Sequence, residues 1–360
     1  MRHALATAAA ILATFAGTPA AFAQTGAPVI IGVAAPLSDS PAILGKQVVD
    51  GVGAAMVRLR SDDTATEIVT ADTACSQDGG QNAARQLIEA KATVAVGFLC
   101  TEAIEAALPL LTRAGIPTLD VGVRASRLTD KRARTGFLVW RLAPRATAEA
   151  DAIAALLAKR WRDRPFGLID DGTIYNRSLS DAVRLRLEGE GMQPSTIDTY
   201  RPAEEKQFGL ARRLQRTGVT RFFIAGDRPD VAIIARDAAD LGLSLEVVGG
   251  ESLFDETSPD APLPTGVTAV GPQVDFPAFP ARDDAAPEGH FGVAAAAADI
   301  AVQAAKAARI DGTPLNEVLN TTSFDTPLGA VRFDENGDSN LELYRTYRWD
   351  GERFVLEEGG

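Results

Sequence analysis

The sequence predicts an α/β protein of two lobes, each a parallel β-sheet with helices on both faces. Three observations predict it. Strand-like and helix-like segments alternate from residue 29 onward, the pattern of parallel strands linked through helices. That rhythm restarts near residue 137, giving a second unit of similar size. About 335 residues remain after a leader segment, more than one core usually accommodates.

The leader is the first element. Met1-Arg2-His3 is basic, residues 4–17 form an apolar run of signal-peptide length, and Ala21-Phe22-Ala23 is a small-x-small cleavage site. The run falls short of the ~20 residues that span a bilayer. No cysteine follows the cleavage site to carry a lipid. The expectation is export, with cleavage after Ala23. No later stretch reads as apolar enough to cross a membrane.

In the first unit, residues 29–35 read as a strand and 45–60 as a helix with apolar positions at helical spacing. Strand 66–75 ends at Cys75 and is followed by helix 80–90. Strand 92–100 ends at Cys100 and leads into helix 102–113, and residues 116–122 make a fourth strand. Parallel strands joined through a helix finish on the same sheet edge, so the two thiols are expected close together there. Ligands bind at that edge in open α/β sheets. A Cys75–Cys100 disulfide suits an exported chain, and a nucleophilic cysteine is the alternative.

In the second unit, residues 137–143 are extended, 147–160 helical, 166–170 a strand and 178–190 a helix. Segments 195–200, 208–217, 221–225, 229–241 and 245–248 continue the alternation. A Pro- and Asp-rich stretch, 255–287, breaks it. The Ala-rich helix 291–308 reads as a helix packed closely on the first lobe, where small side chains permit near approach. Residues 329–354 are strand-like.

Composition narrows the function. The formal charge is −12, near −13 once Arg2 leaves with the leader, which argues against nucleic acid and anionic membranes as partners. Beyond the leader there is a single histidine, His290, which excludes a zinc site built on several histidines. A Ser-His-Asp triad would rest on that residue, and no G-x-S-x-G elbow occurs. Gly51-Val52-Gly53 lacks the third glycine of a dinucleotide fingerprint and lies within a helix. The acidic turn at Asp334 misplaces the glycine of a calcium loop and sets Arg345 at its twelfth position. Neither a metal site nor a cofactor is expected.

The candidate site lies at strand ends. Thr101 follows Cys100 at a helix start, where its hydroxyl and nearby N–H groups suit an anion such as a carboxylate. Gly122 and Arg124 follow the fourth strand, and Tyr175 follows the turn Asp170-Asp171-Gly172. Asp227 follows Ile224-Ala225-Gly226, and Glu251 follows Val248-Gly249-Gly250. Their shared position after strands of both units makes them the candidate ligand set.

With these residues in view, the whole chain from Val29 onward resembles a family. The matching segments include Ala34-Ala35-Pro36-Leu37-Ser38, Asp72-Thr73-Ala74-Cys75-Ser76, Gly97-Phe98-Leu99-Cys100-Thr101 and Gly249-Gly250-Glu251. The chain is similar to the periplasmic substrate-binding proteins of branched-chain amino acid (leucine/isoleucine/valine-binding) ABC transporters. The resemblance implies two Rossmann-like lobes of the type I periplasmic-binding fold, joined by three crossovers and closing by a hinge. Residues 27–144 with 275–330 would form lobe 1, and 145–274 with 331–360 lobe 2. It implies a soluble, monomeric periplasmic protein that catalyses nothing. Such a protein hands a small amino acid, or a related carboxylate-bearing metabolite, to an inner-membrane permease.

The resemblance also assigns roles. Thr101 and the loop from Gly122 to Arg124 would hold the ligand's α-carboxylate and Glu251 its α-ammonium. Tyr175 would cover the ligand and Asp227 would read its side chain. Arg124 stands where family members have a small hydroxyl residue, Asp227 where the leucine binder has an aromatic, and Leu44 replaces an aromatic near the mouth. A guanidinium holds a carboxylate bidentately. Asp227 suits a polar or cationic group better than an isobutyl chain. Pairing of Arg124 with Asp227 is the alternative. Two rival functions stand beside transport: a sensory module of the same fold, for which gene deletion would leave uptake unchanged, and a secreted hydrolase, which would turn its ligand over.

Overall fold

A computed structural model describes residues 27–59, 65–255, 261–277, 279 and 287–357, so the signal segment and its cleavage site lie outside the described residues. The first half runs β1 (Val29–Ala35), α1 (Ala42–Leu59), β2 (Thr66–Asp72), α2 (Gln77–Glu89), β3 (Val94–Gly97), α3 (Thr101–Arg113) and β4 (Thr118–Asp120). Two single-turn helices, α4 (Arg127–Asp130) and α5 (Arg132–Thr135), precede β5 (Val139–Arg141). These strands form one sheet in the order β2-β1-β3-β4-β5, parallel throughout. Its inner strand β3 is buried along its whole length, the continuous apolar run that a sheet covered on both faces requires.

The second half runs α6 (Ala148–Trp161), β6 (Gly167–Asp170), α7 (Ile174–Gly189), β7 (Thr196–Thr199), α8 (Phe208–Thr217), β8 (Arg221–Ala225), α9 (Arg228–Asp240), β9 (Glu246–Gly249) and β10 (Thr268–Pro272). After these come α10 (Phe291–Asp311), α11 (Leu315–Thr321), β11 (Phe324–Thr326), β12 (Gly329–Val331), β13 (Tyr344–Trp349) and β14 (Phe354–Leu356). The second sheet has the order β14-β13-β10-β9-β8-β6-β7. Strands β6 to β10 are parallel, whereas β13 and β14 add antiparallel. β10 corrects the sequence analysis, which read residues 255–287 as a break. Four of its five residues are buried, so it carries no alternation to betray it, and it is held by β9 on one side and β13 on the other.

The chain passes between the two halves three times: from β5 to α6, from β10 to α10 and from β12 to β13. α10 returns to the first sheet, where Ala294 to Ala298, Ile300 and Ala301 share one core with Ile31, Val33, Val96 and Val48. The small side chains let α1 approach so closely that a β-carbon on Gly51 would lie 2.2 Å from the Phe291 carbonyl oxygen. With 21 residues and a mean hydropathy of 1.2, α10 is the one described helix long and apolar enough to cross a membrane, contrary to expectation. Its burial in the core of the first sheet gives that apolarity a structural use.

The two cysteines form a disulfide with Cα atoms 5.2 Å apart, and no free cysteine occurs among the described residues. This removes the nucleophilic alternative. β2 and β3 are not neighbours, because β1 lies between them, so the bridge arches over the end of β1. Strands on either side of a third stand roughly 9–10 Å apart, so the loops must lean inward. Ala74 and Cys75 do so at φ 44° and Phe98 at φ 63°. Gly97, at φ 129°, lets β3 pass the Ala34 carbonyl, which a β-carbon would meet at 2.2 Å.

At the first crossing, the fully buried Arg141 donates through Nε to Asp338 Oδ1 at 2.7 Å and through Nη2 to Thr129 Oγ1 at 2.6 Å. Its Nη1 donates to the Ala125 carbonyl at 2.9 Å. Asp338, just after the acidic turn at Asp334, also pairs with Arg145. One buried cluster therefore ties the first crossing, the third crossing and the loop after β4.

Candidate functional site

The loop after β4 is shaped from below by Asp120. Its Oδ1 accepts the N–H groups of Gly122 at 3.2 Å and Val123 at 2.9 Å, while Oδ2 has no partner. Burial, only partly offset by those two N–H groups and by the charge of Arg141, pushes this carboxyl up to about 7. From above, Arg141 and the Ala146 N–H engage the carbonyls of Arg124 and Ala125. Arg124 is thus presented from a backbone fixed on both sides.

Its guanidinium meets Glu251, which begins the helical turn after β9 in the other sheet. Arg124 Nη1 donates to Glu251 Oε2 at 2.9 Å, to Oε1 at 3.1 Å and to the Tyr344 hydroxyl at 2.9 Å. The Tyr344 hydroxyl donates to Glu251 Oε2 at 3.0 Å. Burial alone would lower the Arg124 pKa, but Tyr344 and Glu251 outweigh it and raise it. The cation and the carboxylate come from opposite lobes and are both only partly exposed.

A second carboxylate backs this pair. Glu149, buried in the first turn of α6, accepts the Glu251 N–H through Oε1 at 2.8 Å and the Tyr175 hydroxyl through Oε2 at 2.7 Å. Burial raises its pKa, opposed by those two donors. Tyr175 is also 3.3 Å from Glu251 Oε1, and burial followed by the Glu149 contact raises its hydroxyl pKa. On the opposite side, burial and the nearby Arg124 charge hold the His290 pKa below its ordinary value.

The cavity beside the pair has a volume of about 500 Å³. Arg124, Tyr175, Asp227 and Glu251 all line it, together with Asn176, Asp255 and Val274. Two expected residues are not in its lining. Thr101 begins α3 directly after the bridged Cys100, and the Gly122 N–H is turned to Asp120. Arg124 pairs with Glu251, not with Asp227. Glu149 and Tyr344 escaped the sequence analysis. Neither stands directly after a parallel strand, since Glu149 opens a helix past the first crossing and Tyr344 opens an antiparallel strand past the third.

This arrangement offers charge of both signs and hydroxyl donors between the two sheets. Among the described residues no group of three or more His, Cys, Asp or Glu side chains is placed to hold a metal ion.

A family model described as periplasmic binding protein matches residues 28–353. The Leu/Ile/Val-binding protein BraC3 of Rhizobium johnstonii is 24% identical over 367 residues, covering 97% of this chain and 98% of that one. The structure of an ABC-type branched-chain amino acid transporter protein from Rhodopseudomonas palustris superposes with a TM-score of 0.73 at 16% identity, covering 92% of this chain and 96% of that one. A solute binding protein of an ABC transporter from the same species, in complex with p-hydroxybenzoic acid, superposes with a TM-score of 0.60 at 17% identity, covering 92% and 96%. At such identities the solved structures share the fold alone.

Proposed function

The chain belongs to the periplasmic binding protein family, and from that membership we propose that it is the exported substrate-binding component of an ABC importer, closing on a small amino acid or a related carboxylate-bearing metabolite. The observation that supports this most is the Arg124–Glu251 pair. A cation from one lobe and a carboxylate from the other meet at 2.9 Å, with the Tyr344 hydroxyl touching both. A zwitterion carries the mirror image of that pair. Its carboxylate replaces Glu251 on Arg124 and its ammonium replaces Arg124 on Glu251, so one cross-lobe ion pair becomes two protein–ligand ones. Closure then leaves the ligand bridging the lobes. On this proposal Tyr175 covers the ligand, a membrane permease receives it, the leader is cleaved after Ala23, the protein acts as a monomer and no bond in the ligand is broken.

The test is a thermal-shift screen of the exported protein against amino acids, dicarboxylates, aromatic acids and small amides. A ligand of the native state raises the melting temperature by mass action. An amino acid whose shift disappears in both Arg124→Ala and Glu251→Ala supports the proposal. A response confined to simple acids, with Glu251→Ala silent, removes the amine and with it the amino-acid assignment.

A further inference from the structure

The proposed site does not end at the Arg124–Glu251 pair. The cavity continues past Asn176, Asp227 and Asp255 of the second lobe. Its charged lining comprises one cation and three carboxylates. The cation, Arg124, is taken by Glu251 and Tyr344, and among the described residues neither Asp227 nor Asp255 has an ion-pair partner. Arg228 lies next in sequence but does not supply one. Its guanidinium lies 4.2 Å from the centre of the Trp349 ring, and among the described residues it donates only to the main-chain carbonyl of Asp255. Arg177 lies against Asp170. Asp171, buried just behind, is satisfied by neutral donors alone: Thr173 N–H and Oγ1–H, and Asn176 Nδ2–H. Burial, with Asp171 and Asp255 nearby, raises the Asp227 pKa.

Asn176 gives an independent sign. It lines the cavity and is 5% exposed. Its Nδ2 donates to Asp171 Oδ2 at 2.7 Å, which fixes the orientation of the amide, and Oδ1 is left without a donor. A buried acceptor left without a donor is unfavourable, and a ligand donor would relieve it. Among the described residues, the uncommitted side-chain polar groups of the cavity lining, Asn176 Oδ1 and the carboxylates of Asp227 and Asp255, are all acceptors. An alkyl side chain entering this space would leave them unpaired.

We infer that this end of the cavity is a specificity subsite for a positively charged, donor-rich group, an ammonium or guanidinium, so that the preferred ligand is a basic amino acid. Asp227 and Asp255 supply the charge and Asn176 Oδ1 the third acceptor, while Arg124 and Glu251 take the amino-acid headgroup. The inference rests on the zwitterion assignment above, and the test separates the two.

Isothermal titration of the exported protein with L-arginine, L-lysine, L-leucine, 1,5-diaminopentane and calcium chloride, repeated with Asp227→Asn and Arg124→Ala, provides the readout. Arginine or lysine is expected to bind at least tenfold more tightly than leucine, and Asp227→Asn to lower that ratio at least tenfold. Leucine binding as tightly as both basic amino acids, or a ratio unmoved by Asp227→Asn, overturns the inference. If Arg124→Ala still weakens leucine in that case, the zwitterion assignment stands. Binding of the diamine alone, sensitive to Asp227→Asn, keeps the cationic subsite and removes the carboxylate from the ligand. Calcium binding lost in Asp227→Asn, or no binding by any cation, also overturns the inference.

Discussion

Glu149 and Glu251 stand back to back, the main-chain N–H of Glu251 donating to Glu149 Oε1 at 2.8 Å while the Tyr175 hydroxyl reaches both carboxylates, at 2.7 Å and 3.3 Å. Two acids this close are tolerated because the first is held by neutral donors and the second by Arg124. Glu149 thus helps fix where Glu251 stands, and on the proposed function it would act on the ligand only through that residue.

Glu149→Ala removes the acceptor of both the Glu251 N–H and the Tyr175 hydroxyl. Two lost hydrogen bonds of ordinary strength are worth about 1–3 kcal/mol, so affinity for the headgroup should fall roughly 5- to 150-fold. Glu149→Gln keeps an acceptor for the N–H and should recover part of the loss. Titration calorimetry decides, and equal affinity in wild type and Glu149→Ala would refute the role.

Asp120 makes stability depend on pH. Its folded pKa of about 7 lies above the ~4 of an unfolded aspartate. A raised carboxyl pKa contributes stability that is full below the unfolded value and is lost as pH rises through the folded one. Three pH units correspond to about 4 kcal/mol at most. Asp120→Asn should therefore be more stable than wild type in urea at pH 8 and near parity at pH 4. A constant difference across that range would count against the assignment.

Arg141→Ala should cost about 3 kcal/mol in urea denaturation, since it strips a buried carboxylate of one of its two cations. It also frees the Ala125 carbonyl and loosens the loop that ends in Arg124. Ligand affinity should fall together with stability. A variant with full affinity would show that Arg124 is placed without this support.

The disulfide closes a loop with a sequence separation of 25. By loop-closure entropy it stabilises the first lobe by about 3 kcal/mol. Melting with and without reductant reads this directly, and the same difference is expected between wild type and the double variant Cys75→Ala/Cys100→Ala. An unchanged melting temperature on complete reduction would contradict it.

What the sequence disclosed followed from backbone geometry. Arg124, Tyr175, Asp227 and Glu251 were legible because each follows a parallel strand, and strands of one sheet end together. Thr101 obeys the same rule yet is not in the cavity lining, and the Gly122 N–H is consumed by Asp120, a contact that only folding creates. Glu149 and Tyr344 were hidden because the crossings that deliver them have no local signature. β10 was hidden for a related reason: Thr268–Pro272 is a strand by virtue of its neighbours β9 and β13, in a stretch whose prolines and aspartates read as a break.

The three passages of chain between the two sheets decide how freely one lobe can move against the other. A single linker lets two bodies swivel in any direction. Three linkers, two of them gathered in the Arg141 cluster, restrict twist and sideways slip and favour a jaw-like opening over a swivel. On the proposed function, each closure would then return Arg124 and Glu251 to the same registry, and selectivity would reside in what interrupts that one encounter.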